Sequence, residues 1–266
     1  MGATGMKATK AQDVLVVLRP LLRPLGFLLW LVLDLVFLLP LLLIRPFRER
    51  YFVFFFRVAM FAFPDCFAKA RGKALEALKG IESHDSRLRK CGALKLLEVG
   101  AGTGPNFEYI TRPIKYTNVD PNKVFGPVFR EQLEKHPQIE LERWVHGYGE
   151  DMSEIPSGEF DVVLLTYAFC SVQDRLKVLR EARRVLVKGC RLVFLEHVAF
   201  PKGTWQRILQ NLLAPLMKVA NCNCHINRDI PEDDMYAAGF STVKVNYIRV
   251  SLPLALSRHA YGVAVA

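Results

Sequence analysis

An apolar run delivers this chain straight into a turn built for glycine. Leu96-Leu97-Glu98-Val99 reads as a buried strand, and Gly100-Ala101-Gly102-Thr103-Gly104 follows at once. Glycine has no Cβ, so it adopts backbone conformations closed to other residues and lets main-chain amides come close to a ligand. The ligand such a turn suits is nucleotide-like, and spacing separates the candidates. The dinucleotide fingerprint G-x-G-x-x-G needs glycine at its sixth position; counted from Gly100 that position is Pro105. The phosphate-loop pattern needs Lys-Ser or Lys-Thr after the glycines, and neither follows. What remains is E-x-G-x-G-x-G.

A second acid extends the pattern. Lys115 to Val119 is a short strand candidate ending in Asp120, about 20 residues past the glycines, where a carboxylate accepts bonds from ribose hydroxyls. Beyond it, strands and helices alternate. A helix is expected over Phe125–Lys135 and a strand over Ile139–Val145. A buried strand follows over Phe160–Thr166, then an amphipathic helix over Asp174–Val187, closed by Lys188-Gly189. Leu192–Leu195 is the next strand and runs into Glu196-His197. Val243–Ile248 and Ala260–Val265 read as two more. Such alternation predicts an α/β domain on a largely parallel sheet, with ligands at the carboxyl ends of its strands.

The front of the chain is different in kind. Leu25 to Ile44 holds eleven leucines and is interrupted only by Asp34 and Pro40. Twenty residues match a ~30 Å hydrocarbon core. Insertion gains roughly 8 kcal/mol from the apolar residues against ~3 for Asp34. Residues 1–97 carry 16 Lys/Arg against 7 Asp/Glu, while residues 98–266 carry 20 against 19. The basic excess therefore lies beside the apolar segment, which suits anionic headgroups and argues against a nucleic-acid partner at the site. Cations on both flanks leave open whether the segment spans, forms a hairpin or lies at the interface. Tyr51–Phe63 is too short to cross and reads as interfacial. The expected organisation is a membrane-anchoring segment over 1–64, a basic helical connector over 65–92 and a catalytic domain over 93–266.

Six cysteines occur without a C-x-x-C pair. Cys222-Asn223-Cys224-His225 is spaced too tightly for the usual zinc loop and lacks a second ligand pair, so no metal is expected.

The E-x-G-x-G-x-G turn resembles that of the class I methyltransferases, which use S-adenosylmethionine. A closer resemblance rests on Glu98–Gly104, Asp120-Pro121-Asn122, Gly149-Glu150-Asp151-Met152, Cys170-Ser171-Val172, Glu196-His197-Val198, Trp205 and Tyr261–Val265, all in order. With the apolar front they resemble the thiol S-methyltransferases, membrane-bound enzymes of the endoplasmic reticulum and lipid droplets. Ala101 and Asp151 stand where relatives often carry Cys and Asn. The resemblance implies a Rossmann-like seven-stranded sheet behind an N-terminal membrane-anchoring segment, with the catalytic domain facing the cytosol. It implies that Glu98, Gly100, Gly102 and Gly104 shape the S-adenosylmethionine loop, that Asp120 holds ribose and that Glu150 and Asp151 lie beside adenine. Thr166 to Ser171 would flank the methyl group.

An alkyl thiol dissolved in lipid is the acceptor this implies. A thiol of pKa ~8.5 is a few per cent ionised at neutral pH, so it needs only modest activation. His197 is the candidate base or orienting group, and Cys170 the candidate pocket residue. Methylation of oxygen or carbon on a lipid or quinone stays open, as does a non-catalytic coat protein.

Overall fold

The computed structural model describes residues 25–26, 28–29, 32–33, 36, 40, 43–62, 64–230, 232–252 and 254–266. The chain divides into two units, Met1–Arg45 and Pro46–Ala266. Half of the Leu25–Ile44 run lies outside the described residues. No helix among the described residues is long and apolar enough to cross a membrane.

The second unit is built on one seven-stranded sheet. Its strands are β1 (Leu94–Val99), β2 (Ile114–Val119), β3 (Ile139–Val145), β4 (Phe160–Thr166), β5 (Leu186–His197), β6 (Thr242–Arg249) and β7 (Arg258–Val265). Their spatial order is β3-β2-β1-β4-β5-β7-β6. The first five run parallel, and β7 lies antiparallel between β5 and β6. The order reverses between β1 and β4, which opens a crevice at their carboxyl ends. The apolar runs of β1 and β4 explain their central place, since a parallel strand covered on both faces has no polar side to show. All seven residues of β4 are buried.

Period-2 geometry sorts the side chains. Leu97, Val99, Val163, Leu165 and Phe194 pack on one face with Val178, Leu179, Ala182 and Val185 of helix α5 (Arg175–Val185). Leu96, Tyr116, Val162, Leu164 and Val193 pack on the other with Phe107 and with Phe129 of α4 (Gly126–Glu134). A third cluster joins Ala70 and Ala74 of α2 (Pro64–Leu75) to Leu195 and Val250.

The elements differ from the sequence reading in three places. The helical connector expected over 65–92 is broken into pieces: α2, a 3₁₀ stretch (Glu76–Gly80) and the short α3 (Ser86–Lys90). Arg112 Nη1 secures the break by donating to the Leu78 and Ile81 carbonyls at 2.9 and 2.8 Å. Helix α5 stops at Val185, not Val187. Leu186 already pairs with Phe160, and the last-turn carbonyls of Arg184 and Val185 accept from Gly158 and Glu159 N–H. Lys188 and Gly189 consequently lie in β5. The 16-residue α6 (Trp205–Ala220) is the third difference, of which the sequence reading had marked only Trp205. The aromatic run from Tyr51 lies in α1 (Arg45–Ala62), where Val53 is buried and Phe52 meets Phe125 edge-on at 6.1 Å.

Candidate active site

The glycine turn sits at the tip of β1 with left-handed backbone at Gly100, Gly102 and Gly104 (φ +75°, +58° and +79°). At Gly104 space adds to conformation: a Cβ there would stand 2.8 Å from the Phe107 ring. Phe107 itself is locked edge-on against Tyr116 and Phe129.

Glu98 lies beneath this turn and is fully buried. Its Oε1 accepts from Asn106 Nδ2 at 2.6 Å and its Oε2 from Tyr116 Oη at 2.5 Å. Asn106 Nδ2 also reaches Thr166 Oγ1 at 2.8 Å, and Asn106 Oδ1 accepts from buried Arg71. Burial raises the Glu98 pKa to about 7, against the opposing pull of Tyr116, Asn106 and Arg71. Glu98 and Thr166 thus meet in one network tying β1, β2, β4, α2 and the loop together. The sequence assigns Asn106, Tyr116 and Arg71 no site role, because nothing local marks residues that act by converging on a buried carboxylate.

Asp120 ends β2 beside the turn. Its Oδ2 accepts from Gly102 N–H at 3.1 Å and its Oδ1 from Asn122 N–H at 2.8 Å. Each oxygen keeps a lone pair for a further donor. Burial lifts its pKa to about 6.

Glu150 and Asp151 follow β3. Gly149 lets this loop close on β1, since a Cβ there would lie 2.7 Å from Val99 Cγ1. Glu150 Oε1 accepts from Gln173 N–H at 2.7 Å, which anchors the loop near the start of α5. Asp151 is exposed and caps its own turn through Ser153 N–H at 3.1 Å.

The chain turns sharply after β4. Tyr167 takes φ +56°, a conformation that costs a non-glycine residue on the order of 1 kcal/mol and marks functional sites often enough to attract attention. Its hydroxyl lies 2.9 Å from His259 Nδ1, and His259 Nε2 lies 2.9 Å from the Leu256 carbonyl. The carbonyl fixes the proton on Nε2, so Nδ1 accepts from the tyrosine. Burial pushes the His259 pKa down to about 3, which keeps that imidazole neutral. Glu196, buried on β5, holds the turn by accepting from Ala168 and Phe169 N–H at 2.7 and 2.9 Å. Its Oε2 is buried without a partner, and burial drives its pKa well above the carboxylate range.

The turn brings Cys170 to His197, as two residues singled out from sequence. A third joins them: Cys224 Sγ lies 3.2 Å from His197 Nε2. One ligand-type atom from each of the three lies within 4.8 Å of the others. A hydrogen bond with Cys224, then burial, hold the Cys170 thiol well above its ordinary pKa. Cys222 and His225, the neighbours of Cys224 in sequence, are not part of this group. A small half-open cleft lies alongside, lined by Phe169, Cys170, His197, Arg175, Arg228 and Asp229.

The chain is similar to known proteins in sequence and in fold. A protein-family profile described as a methyltransferase domain matches residues 97–194, from β1 to β5. A human thiol S-methyltransferase, TMT1B, is 35% identical over 233 residues, covering 88% of this chain and 91% of its own length. The chain belongs to the thiol S-methyltransferase family. Its human relative TMT1A is 36% identical over 175 residues, covering 65% of this chain and 71% of that protein. Solved structures agree at the level of fold. A methyltransferase from Thermotoga maritima, described as S-adenosylmethionine-dependent and possibly acting on histamine, superposes with a TM-score of 0.59 at 17% identity. It covers 82% of this chain and 98% of its own. The YcgJ protein of Bacillus subtilis gives 0.57 at 14% identity, covering 74% and 98%. The protein is a methyltransferase on a seven-stranded mixed sheet of Rossmann-like class I type.

Proposed function

We propose that this enzyme transfers a methyl group from S-adenosylmethionine to the sulfur of a lipophilic thiol at a membrane surface. The observation that carries the reading is the convergence of three left-handed glycines and a ribose-height carboxylate on one side of the crevice, with the Cys170–His197 cleft on the other. The glycine turn fits the cofactor because Asp120 beside it retains acceptor capacity on both oxygens. Gly100, Gly102 and Gly104 would shape the loop around the cofactor, with Glu98 and Thr166 bracing it from beneath. Asp120 would hold the ribose hydroxyls, and the Glu150–Asp151 loop would border adenine. Bound there, S-adenosylmethionine supplies a methyl group on a cationic sulfur for in-line displacement.

The residues of this chain supply position and environment, which account for much of the acceleration in such a displacement. Tyr167 is stacked on His197 at 6.0 Å and fixes the ring beside the cleft. Arg228 lines the cleft as positive charge beside Asp229, and Arg175 there is paired with Asp234 at 3.7 Å. Arg228 also clamps the turn, donating from Nη1 to the Phe169 and Val172 carbonyls at 2.8 and 2.7 Å. Cys170 and His197 would flank the acceptor sulfur. The names of the human relatives support sulfur as the methylated atom.

Membrane placement, at the endoplasmic reticulum and lipid droplets with the catalytic unit in the cytosol, rests on the apolar run before Arg45 and on α6. Trp205, Ile208 and Leu212 form an exposed apolar stripe along that helix, and Lys202 and Lys218 are exposed near its two ends. A stripe with flanking cations suits anionic lipid.

A screen of alkyl thiols, phenols and quinones with labelled S-adenosylmethionine tests the reaction. Label is expected on thiols. Transfer only to oxygen or carbon acceptors would overturn the thiol reading, and absence of turnover with bound cofactor would favour a coat protein.

A further inference from the structure

We infer that Cys170, His197 and Cys224 bind a soft divalent cation of the zinc class, with three protein ligands and one position open to the cleft. The ligands come from three separate segments: the turn after β4, the last residue of β5 and the loop after α6. Cys224 Sγ and His197 Nε2 are 3.2 Å apart, and no pair of ligand atoms in the trio exceeds 4.8 Å. A tetrahedral zinc ion with bonds of ~2.3 Å to sulfur and ~2.0 Å to nitrogen keeps its ligand atoms about 3–4 Å apart. Small side-chain adjustments therefore close the site.

The surroundings hold the trio in register. His225 N–H donates to the Cys170 carbonyl at 2.9 Å, and Asn223 Nδ2 donates to the Ser171 carbonyl at 2.6 Å. Arg228 adds its two bonds to the same turn. The loop carrying Cys224 is thus bonded to the turn carrying Cys170 on both sides of the cysteine. Two sulfurs and an imidazole nitrogen are the donor set zinc takes, whereas calcium and magnesium want oxygen. Three protein ligands with a cleft at the fourth position describe a site that works on a substrate rather than one that only staples the fold. Among the described residues no other group of His, Cys, Asp and Glu meets the same geometric test.

The use of the site rests on the thiol reading above; the binding of the ion does not. An acceptor thiol entering the open position gives its proton to solvent as its sulfur takes the fourth bond. The sulfur's electron pair then forms a bond to the methyl carbon. The bond from that carbon to the cofactor's sulfonium breaks, and its pair stays on the cofactor sulfur. Thiolate and sulfonium become two neutral thioethers, and the methylated product, a weaker ligand, leaves.

The full-length protein, purified under reducing conditions from zinc-supplemented cells, is analysed for metal content and exchanged with Co²⁺. One ion per chain and a thiolate-to-cobalt charge-transfer band are expected. Both should be lost in Cys224→Ala and kept in Cys222→Ala, with the same circular dichroism. Should Cys224→Ala fail to fold, Cys224→Ser removes one thiolate and should weaken the band by about half. A wild-type chain without ion or band, or a Cys224 variant with the full band, overturns the site. Addition of an alkyl thiol should change the cobalt spectrum, and an unchanged spectrum counts against the open position. Full-rate thiol methylation by chelator-stripped protein overturns the catalytic use of the ion and leaves the thiol reading standing. Metal binding with methylation only of oxygen or carbon overturns the thiol reading and leaves the ion in place.

Discussion

The proposed ribose contact of Asp120 predicts that cofactor binding depends on pH. Its carboxyl accepts main-chain bonds from Gly102 and Asn122, and burial raises its pKa to about 6. Ribose hydroxyls donate hydrogen bonds, so the cofactor prefers the ionised carboxylate. The sign follows: an acid whose pKa is raised is ionised above about pH 6 and becomes protonated as pH falls through that value. At pH 5 about one-tenth remains ionised, so S-adenosylmethionine should bind about tenfold more weakly than at pH 8, a difference of ~1.4 kcal/mol. Asp120→Asn removes the charge. It should lose ~1.5–3 kcal/mol at pH 8, roughly 10- to 150-fold, the range for hydrogen bonds to charged groups. It should also lose the pH dependence, because an amide does not titrate. Isothermal titration calorimetry of both proteins from pH 5 to pH 8 gives the comparison, and other titrating groups cancel in the difference. Parallel profiles for wild type and Asp120→Asn would refute the assignment of the carboxylate to the cofactor.

Glu98 makes the corresponding prediction about stability. Its folded pKa of about 7 exceeds an ordinary carboxylate's, so the folded state holds the proton more tightly and stability falls as pH rises from about 4.5 to 7. Glu98→Gln cannot titrate. In urea unfolding, its stability relative to wild type should rise by about 2 kcal/mol between pH 5 and pH 8, and a constant difference would show that Glu98 is not buried as a neutral acid. The front of the chain offers a cut at Arg45. A chain of residues 46–266 keeps Val53, Cys66 and Ala70 in their buried places and should fold, whereas a cut after residue 64 removes α1. Flotation of the 46–266 chain with anionic vesicles should be weaker than that of the full chain; equal flotation would place the lipid contact wholly in the second unit.

Much of the fold was legible in sequence because its signals are local. The β1 apolar run, the glycines after it and Asp120 at the end of β2 each carry their meaning within a few residues, and the alternation of periods announces a parallel sheet. Boundaries failed where a distant segment decided them. Helix α5 ends at Val185 because Phe160 claims Leu186 as a strand partner, and no property of Lys188-Gly189 reveals that. The same holds for the buried acid beneath the loop. Glu98 was recognised as part of a motif, but its pKa depends on Tyr116, Asn106 and Arg71, which lie 18, 8 and 27 positions away.

By itself the sequence determined the class of fold, the glycine turn and the family. Glycine conformation, strand period and acid spacing are short-range properties, written into the order of residues. Only the tertiary structure decided which thiol meets His197. Cys224 looked like half of a local Cys222-x-Cys224-His225 pair, yet its partners are Cys170 and His197, 54 and 27 residues earlier. Parallel strands deliver their ends to one edge of the sheet whatever their separation along the chain, and the α6 loop is bonded onto that edge. The chemistry gathered there is a property of topology.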